Sequence, residues 1–225
     1  MSVFACTDLH GMYDLYEQIN SFLKPEDTVI CLGDCGDRGP AGWKIIEMVA
    51  MNPQWLCLKG NHEDMLANAI LNEDEDNEYY DLLCYNGGLK TYLDWATKTK
   101  QDKDWGEYLK SLPYNFTYKN DQGMIIYLSH AGFTPGDEPP KNRDLIWDRS
   151  HIRDAWTGQT NEIVIHGHTP TPYAHKGRNR PDLLRIEQYC DGHKYNLDLA
   201  SWYTGVACLL DLDTFEEHYF LTEPI

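Results

Sequence analysis

Apolar residues in this chain fall alternately into short continuous runs and into helical spacing. Ser2–Thr7, Thr28–Leu32 and Trp55–Lys59 are short apolar runs that predict strands. Met12–Leu23, Ala41–Met51 and the stretch from Glu63 to Leu71 carry apolar residues at helical spacing. The first third is therefore a β-α-β-α-β run. Residues from about 72 to about 112 read as a helical insertion rich in Tyr and Leu. The pattern then changes to strands. Asn115–Lys119 and Met124–Ser129 flank an Asn120-Asp121-Gln122-Gly123 turn, and Glu162–His166, Leu183–Gln188, Tyr195–Asp198, Val206–Asp211 and Glu216–Leu221 follow. The expected fold class is α/β (α+β): two mixed β-sheets packed face to face, with helices outside. A chain of 225 residues can bury one sizeable core, and no linker or repeat interrupts it, so residues 1–225 read as a single domain.

Three of the predicted strands run directly into polar blocks: Asp8-Leu9-His10-Gly11, Gly33-Asp34-Cys35-Gly36-Asp37-Arg38-Gly39 and Gly60-Asn61-His62-Glu63. Two more histidines, His130 in Ser129-His130-Ala131-Gly132 and His168 in His166-Gly167-His168-Thr169, also follow apolar runs. Five loops can thus converge on the edge formed by strand C-terminal ends, where open α/β sheets place their ligands. Carboxylate, imidazole and amide oxygen suit hard to borderline divalent ions, and the lack of a paired thiolate motif argues against a structural zinc. Two such ions roughly 3.5–4 Å apart can clamp a phosphoryl oxygen and activate a shared water as hydroxide. Arg38 and Arg149 suit the non-bridging phosphate oxygens. His62 is placed to protonate a leaving oxygen, with Asp37 fixing its tautomer.

These blocks resemble the signature of the phosphoprotein phosphatase family of metallophosphoesterases. Within that family they resemble the bacterial and phage Ser/Thr phosphatases and the symmetrical diadenosine tetraphosphate hydrolases. The likeness runs from about Val3 to about Asp211 and includes Asn86-Gly87-Gly88 and the stretch from Leu197 to Gly205. It implies a four-layer sandwich fold and two divalent metal ions. Asp8 and His10 would bind the first ion, Asp34 would bridge, and Asn61, His130 and His168 would hold the second. It further implies His62 as general acid oriented by Asp37, with Arg38 and Arg149, beside Asn61 and His62, on the phosphate. A metal-bridging hydroxide would attack phosphorus directly. The departures are Thr7 before the first aspartate and Ala131 and Ala200 at positions where glycine is usual. Pro170 stands where the wider superfamily often has a second histidine, which favours the phosphoprotein phosphatase branch.

Composition narrows the partners. The net charge of −17 argues against nucleic acid and anionic membranes, while leaving room for an anionic substrate drawn by two cations and two arginines. No apolar run approaches the roughly 18 residues of a membrane span. A cleavable leader would remove Asp8 and His10. Seven cysteines without paired spacing point to a reducing cytoplasm, with Cys6, Cys31 and Cys57 as small apolar fillers and Cys35 as an oxidisable loop residue or a filler. His166 reads as strand packing and His175 as exposed, while His151, His193 and His218 carry no motif. The acidic run from Glu73 to Glu78 would disfavour acidic phosphopeptides if it overhung the site. The basic patch from Lys176 to Arg180 would steer anionic substrates.

The expected activity is a metal-dependent phosphomonoesterase, with Mn²⁺ as the metal and Fe, Zn or Ni also compatible. Its substrate would be a phosphoserine or phosphothreonine protein or a small phosphate ester. The alternatives are a symmetrical dinucleoside tetraphosphate hydrolase and a catalytically idle phosphate-binding scaffold. The hydrolase would need a nucleotide pocket, for which the insertion and the basic patch are the candidates.

Overall fold

In the computed structural model, which describes residues 1–72, 78–136, 140–171 and 184–223, two five-stranded sheets face each other. The first is built from β1 (Val3–Cys6), β2 (Thr28–Cys31), β3 (Trp55–Cys57), β9 (Val206–Asp211) and β10 (Glu217–Leu221), in the order β10-β9-β1-β2-β3. β1, β2 and β3 are parallel and in register, with Cys6 opposite Cys31 and Cys31 opposite Cys57. The second sheet holds β4 (Asn115–Lys119), β5 (Ile125–Ser129), β6 (Glu162–His166), β7 (Glu187–Tyr189) and β8 (Lys194–Asn196), in the order β4-β5-β6-β8-β7. β5, β6 and β8 are parallel, and the edge strands β4 and β7 pair antiparallel.

Strand alternation builds two cores. Ala5, Ile30, Leu58, Leu128, Ile165, Leu197 and Leu210 fill the space between the sheets. On the other face of the first sheet, Val29, Cys31 and Leu209 pack with α1 (Tyr13–Phe22), α2 (Gly42–Met51) and α3 (Asn61–Leu71) through Ile19, Trp43, Ile45 and Leu66. The insertion forms α4 (Glu78–Tyr85), α5 (Leu89–Thr99) and α6 (Asp104–Ser111), which add Leu83, Trp95 and Leu109 to this layer. Against the second sheet lie the short α7 (Asp144–Trp147) and a 3₁₀ turn at Ser150–Arg153, whose His151 ring packs 4.9 Å from that of His166. A last short helix, α8 (Ser201–Thr204), precedes β9.

Strands β1, β2 and β3 are shorter than the apolar runs suggest, because the ligand loops begin inside those runs. Cys6, Cys31 and Cys57 are the last ladder residues. β7 also differs from the expected Leu183–Gln188: Leu183 lies outside the described residues, and the turn at Cys190–Gly192 sets the register at Tyr189 opposite Lys194. The three elements not foreseen (α7, the 3₁₀ turn and α8) are four residues each, too short to show a period. The acidic residues 73–77, the basic patch and His175 lie outside the described residues. His166 is buried as expected, and its Nε2 meets the Tyr189 hydroxyl at 2.6 Å.

Leu128 is fully buried between the sheets. Leu128→Ala is expected to lower the unfolding free energy by about 2–5 kcal/mol in a urea titration, through lost burial and the cavity left behind.

Candidate metal centre

All five ligand-bearing loops leave the same edge of the two sheets. Backbone hydrogen bonds stitch the first two together: Asp8 N–H donates to the Gly33 carbonyl at 3.1 Å, His10 N–H to that of Asp34 at 3.0 Å, and Gly11 N–H to that of Cys35 at 2.9 Å. The chain turns sharply here. Asp8, His10, Asp34, Asp37, Arg38 and His168 all adopt left-handed backbone with φ between 42° and 67°. Such conformations are uncommon outside glycine and concentrate where a fold must aim side chains at one point. Gly33, at φ 103°, lets its loop press against Gly60, where any Cβ would strike the Gly60 backbone.

The side chains meet around one atom. Asp34 Oδ2 lies 3.6 Å from His10 Nε2, 3.8 Å from His62 Nε2 and 3.3 Å from His130 Nε2. Its other oxygen, Oδ1, accepts the His62 backbone N–H at 3.0 Å, which fixes the carboxylate's orientation. Asp8 is fixed in the same way. Its Oδ2 accepts the Thr7 hydroxyl at 2.6 Å and the His168 N–H at 3.1 Å, leaving Oδ1 facing His10 Nε2 at 3.7 Å. Ligands about 2.1 Å from one ion at right angles stand about 3.0 Å apart, so these separations are near those a shared cation sets. The departure at Thr7 is therefore a gain, since its hydroxyl holds the first aspartate.

The histidines are prepared as ligands. His10 Nδ1 donates to the Gly36 carbonyl at 2.9 Å and His130 Nδ1 to that of Leu32 at 3.0 Å, so each presents Nε2 to the site. His168 Nε2 is buried with no hydrogen-bond partner, an orphan that a cation would satisfy. Asp34, His130 and His168 offer donor atoms within 4.8 Å of one another, as do His10, Asp34 and His62. Asn61 Oδ1 lies 2.9 Å from His130 Nε2, which brings the third block to the same point. This donor set fits divalent metal.

Electrostatics points the same way. Burial, and next the Arg38 guanidinium, push the His10 pKa well below the ordinary value; burial and His130 do the same to His168. Both imidazoles are then neutral, as metal ligands must be. Burial opposes charge on His130, yet Asp34, Asp8 and Glu63 raise its pKa to about 9. Burial alone would raise the Asp34 pKa, and His130, His62 and His10 hold it well below the carboxylate range. The cluster draws positive charge to its centre.

Opposite the ligands, His62 Nδ1 lies 2.6 Å from Asp37 Oδ2. Burial disfavours the imidazolium, but Asp34 and Asp37 outweigh it and the His62 pKa is raised. Arg38 is exposed at the mouth, 2.8 Å from His10 Nε2 and 3.0 Å from His62 Nε2, with the Trp202 ring 5.6 Å from its guanidinium carbon. The His10 Nε2 lone pair can accept from Arg38 or bind a cation, not both. Arg149 is also exposed, and reaches the His168 carbonyl at 3.4 Å. Every residue singled out from the sequence for metal, acid or phosphate thus lies in this one cluster.

Several supporting residues carry no assigned role from the sequence, although Glu63, Gly87, Asp198 and Ser201 lie in blocks that carry the family likeness. Glu63 accepts three backbone N–H groups, from Asp34 at 2.7 Å, Cys35 at 2.8 Å and Gly60 at 3.0 Å, and burial beside Asp34 pushes its pKa up to about 7. Its place in the third block was the available signal. Ser201 donates its hydroxyl to the Asp8 carbonyl, and Asn196 Nδ2 donates to that of Thr169 at 2.6 Å. Asp198 is buried behind Asp8, with its pKa driven well up by burial and then by Asp8. The insertion contributes Thr91, whose hydroxyl accepts the Asp37 N–H at 3.0 Å, and Gly87, whose carbonyl accepts that of Arg38 at 3.0 Å.

A family model described as calcineurin-like phosphoesterase matches residues 1–200. Among solved structures, the chain is similar to one described as a "putative diadenosine tetraphosphatase", at TM-score 0.62 and 16% identity, covering 98% of this chain and 93% of that one. A metallophosphoesterase from Sphaerobacter thermophilus is similar at TM-score 0.59 and 17% identity, covering 100% and 89%. A Saccharomyces cerevisiae protein serine/threonine phosphatase with similarity to human PP5 is similar at TM-score 0.60 and 13% identity, covering 100% and 81%. No curated protein sequence matches the chain.

Glu63→Ala strips the acceptor from three buried N–H groups at once. The expected loss is at least about 2 kcal/mol of stability, read by denaturant unfolding, with weaker metal retention on dialysis.

Proposed function

The chain belongs to the calcineurin-like phosphoesterase family, and from that membership we propose a metal-dependent phosphomonoesterase that acts on phosphoserine and phosphothreonine in proteins. The observation that carries this reading is the buried His62–Asp37 pair at 2.6 Å beside the exposed Arg38 at the edge of the ligand cluster. A phosphomonoester presents three non-bridging oxygens and one leaving oxygen. Two exposed arginines and one positioned acid match that demand.

In this reading, Asp8, His10 and Asp34 would hold one divalent ion, and Asp34, Asn61, His130 and His168 would hold a second, with Asp34 serving both. Such ions supply Lewis acidity that acidifies water and neutralises phosphate charge. Arg38 and Arg149 orient the phosphoryl group and stabilise its charge as the bond to the leaving oxygen lengthens. Asp37 keeps the His62 proton on Nδ1 when the imidazole is neutral, and both neighbouring carboxylates favour the form that also carries one on Nε2. That Nε2 proton goes to the departing serine or threonine oxygen. No side-chain nucleophile is required, so no phosphoenzyme forms.

A symmetrical dinucleoside tetraphosphate hydrolase is the second reading. Its motivation is the fold neighbour described in those terms, which spans nearly all of both chains. The two readings share the ligand set and differ only in what lies beyond the phosphate.

His62→Asn is expected to lower kcat about 10²–10⁴-fold while metal content, read by elemental analysis, stays unchanged. Loss of metal together with rate would overturn the acid assignment. A side-by-side assay of Mn²⁺-loaded protein on a phosphothreonine peptide and on diadenosine tetraphosphate tests the substrate. Faster phosphate release from the peptide is expected, whereas preferential cleavage to two nucleoside diphosphates would install the second reading.

A further inference from the structure

Behind the metal loops, on the helix side of the first sheet, three cysteine sulfurs converge. Cys31 ends β2, Cys57 ends β3, and Cys35 turns back from the loop that carries Asp34. Cys31 Sγ and Cys35 Sγ are 3.3 Å apart, Cys35 Sγ and Cys57 Sγ are 3.8 Å apart, and all three lie within 4.8 Å of one another. We propose that Cys31, Cys35 and Cys57 form a three-thiolate site for a soft d¹⁰ ion, Cu(I), separate from the phosphoesterase centre.

Three observations support the site. The first is spacing. Sulfurs bound at about 2.3 Å stand about 4.0 Å apart around a trigonal ion and about 3.8 Å apart around a tetrahedral one, so Cys35 and Cys57 at 3.8 Å are already spaced for an ion and Cys31–Cys35, at 3.3 Å, would open by roughly 0.5–0.7 Å. A Cys31–Cys35 disulfide would need the same sulfurs to close from 3.3 Å to about 2.05 Å, a larger rearrangement within the loop that carries Asp34. The second is room. A cavity of about 10 Å³ adjoins Cys35 and Cys57, walled by Ile46, Val49, Leu109 and Leu112, which is space for roughly one small particle. Glu63 also borders it, but that carboxylate already serves three backbone N–H groups. The third is access. Cys57 is only half-buried, and Tyr108 lines both this cavity and an open groove that carries the exposed Met51, whose thioether is itself a soft donor.

The ligand count selects the ion. Among the described residues the trio and the cavity lining offer three sulfurs and no nitrogen donor, which suits Cu(I), whereas structural zinc takes four ligands. Cys6, opposite Cys31 in the ladder, is not part of the mutually close trio. Cys31 and Cys35 share an S–H···S contact at 3.3 Å, as do Cys35 and Cys57 at 3.8 Å, so each sulfur of the trio already has a sulfur neighbour. Binding displaces the thiol protons to solvent, and the metal's oxidation state does not change.

The test is an anaerobic titration of the full chain, preloaded with Mn²⁺, with Cu(I) buffered by a competing chelator. The expected result is one tightly held Cu(I) per chain with three sulfur neighbours and no nitrogen or oxygen in X-ray absorption. Cys57→Ser should bind more weakly by more than the ~10–100-fold that follows loss of an outer-sphere partner, and Cys84→Ser should bind like the parent. Nitrogen or oxygen neighbours, undiminished binding by Cys57→Ser, or no binding in the competition would overturn the site. The parent's coordination decides the matter alone if Cys57→Ser does not fold.

Discussion

Asp34 is a buried carboxylate at the point where the ligand loops meet, and the surrounding structure is arranged to keep it charged there. Taking an isolated carboxylate out of water costs several kcal/mol even after relaxation. The chain offsets this with three imidazoles around one oxygen and a backbone N–H on the other. The three imidazoles arrive on three different loops, and the N–H is that of His62 itself. Satisfying Asp34 is therefore what forces the loops together, and the left-handed turns at Asp8, His10, Asp34 and Asp37 are the backbone's cost for that convergence.

Glu63 extends the same logic by one layer. A single carboxylate gathers the N–H groups of Asp34, Cys35 and Gly60, tying the end of β2 to the start of α3. The sheet beneath supplies the rigidity. Because β1, β2 and β3 are parallel and in register, their C-terminal ends lie level, and the loops that follow start from one line. That register also stacks Cys6, Cys31 and Cys57 across the strands, and Asp34 and Cys35, adjacent in one loop, belong to the ligand cluster and to the thiol trio respectively.

Legibility in the sequence followed the range of the signal. Asp8, His10, Asp34, Asn61, His130 and His168 could be read because each follows a strand-like run, so local pattern placed them at strand ends. The two-sheet fold was legible for the same reason. What escaped depends on contacts between distant segments. Thr7 looked like a blemish, yet it holds Asp8 beside Gly167, the one residue small enough to let it approach. Asn196 braces the site from the far end of the chain with no motif of its own, and Asp198 and Ser201 sit in the Leu197–Gly205 stretch, whose likeness gave them no role. The cysteines were judged by spacing along the sequence, which is blind to sulfurs brought together by neighbouring strands. His151 carried no motif but is buried against His166, because the four-residue turn that places it is too short to announce itself.

Charge is divided between scales. The whole chain carries −17, and at physiological salt that field is screened within roughly 8 Å. An anionic phosphate ester gains nothing from the protein at long range and must be held by the groups it touches. Those groups are set apart by depth. The acids and imidazoles are buried and fixed by hydrogen bonds, while Arg38 and Arg149 stand exposed at the rim. In the proposed reading the buried side chains would keep their geometry, whereas Arg38, at the rim, would leave His10 to meet phosphate. Arg38 shows the division most directly. It bonds to the nitrogen of His10 that a cation would claim, and Trp202 supports its guanidinium. A cation that claims His10 Nε2 would, in the proposed reading, free Arg38 for phosphate, so the two roles draw on one nitrogen.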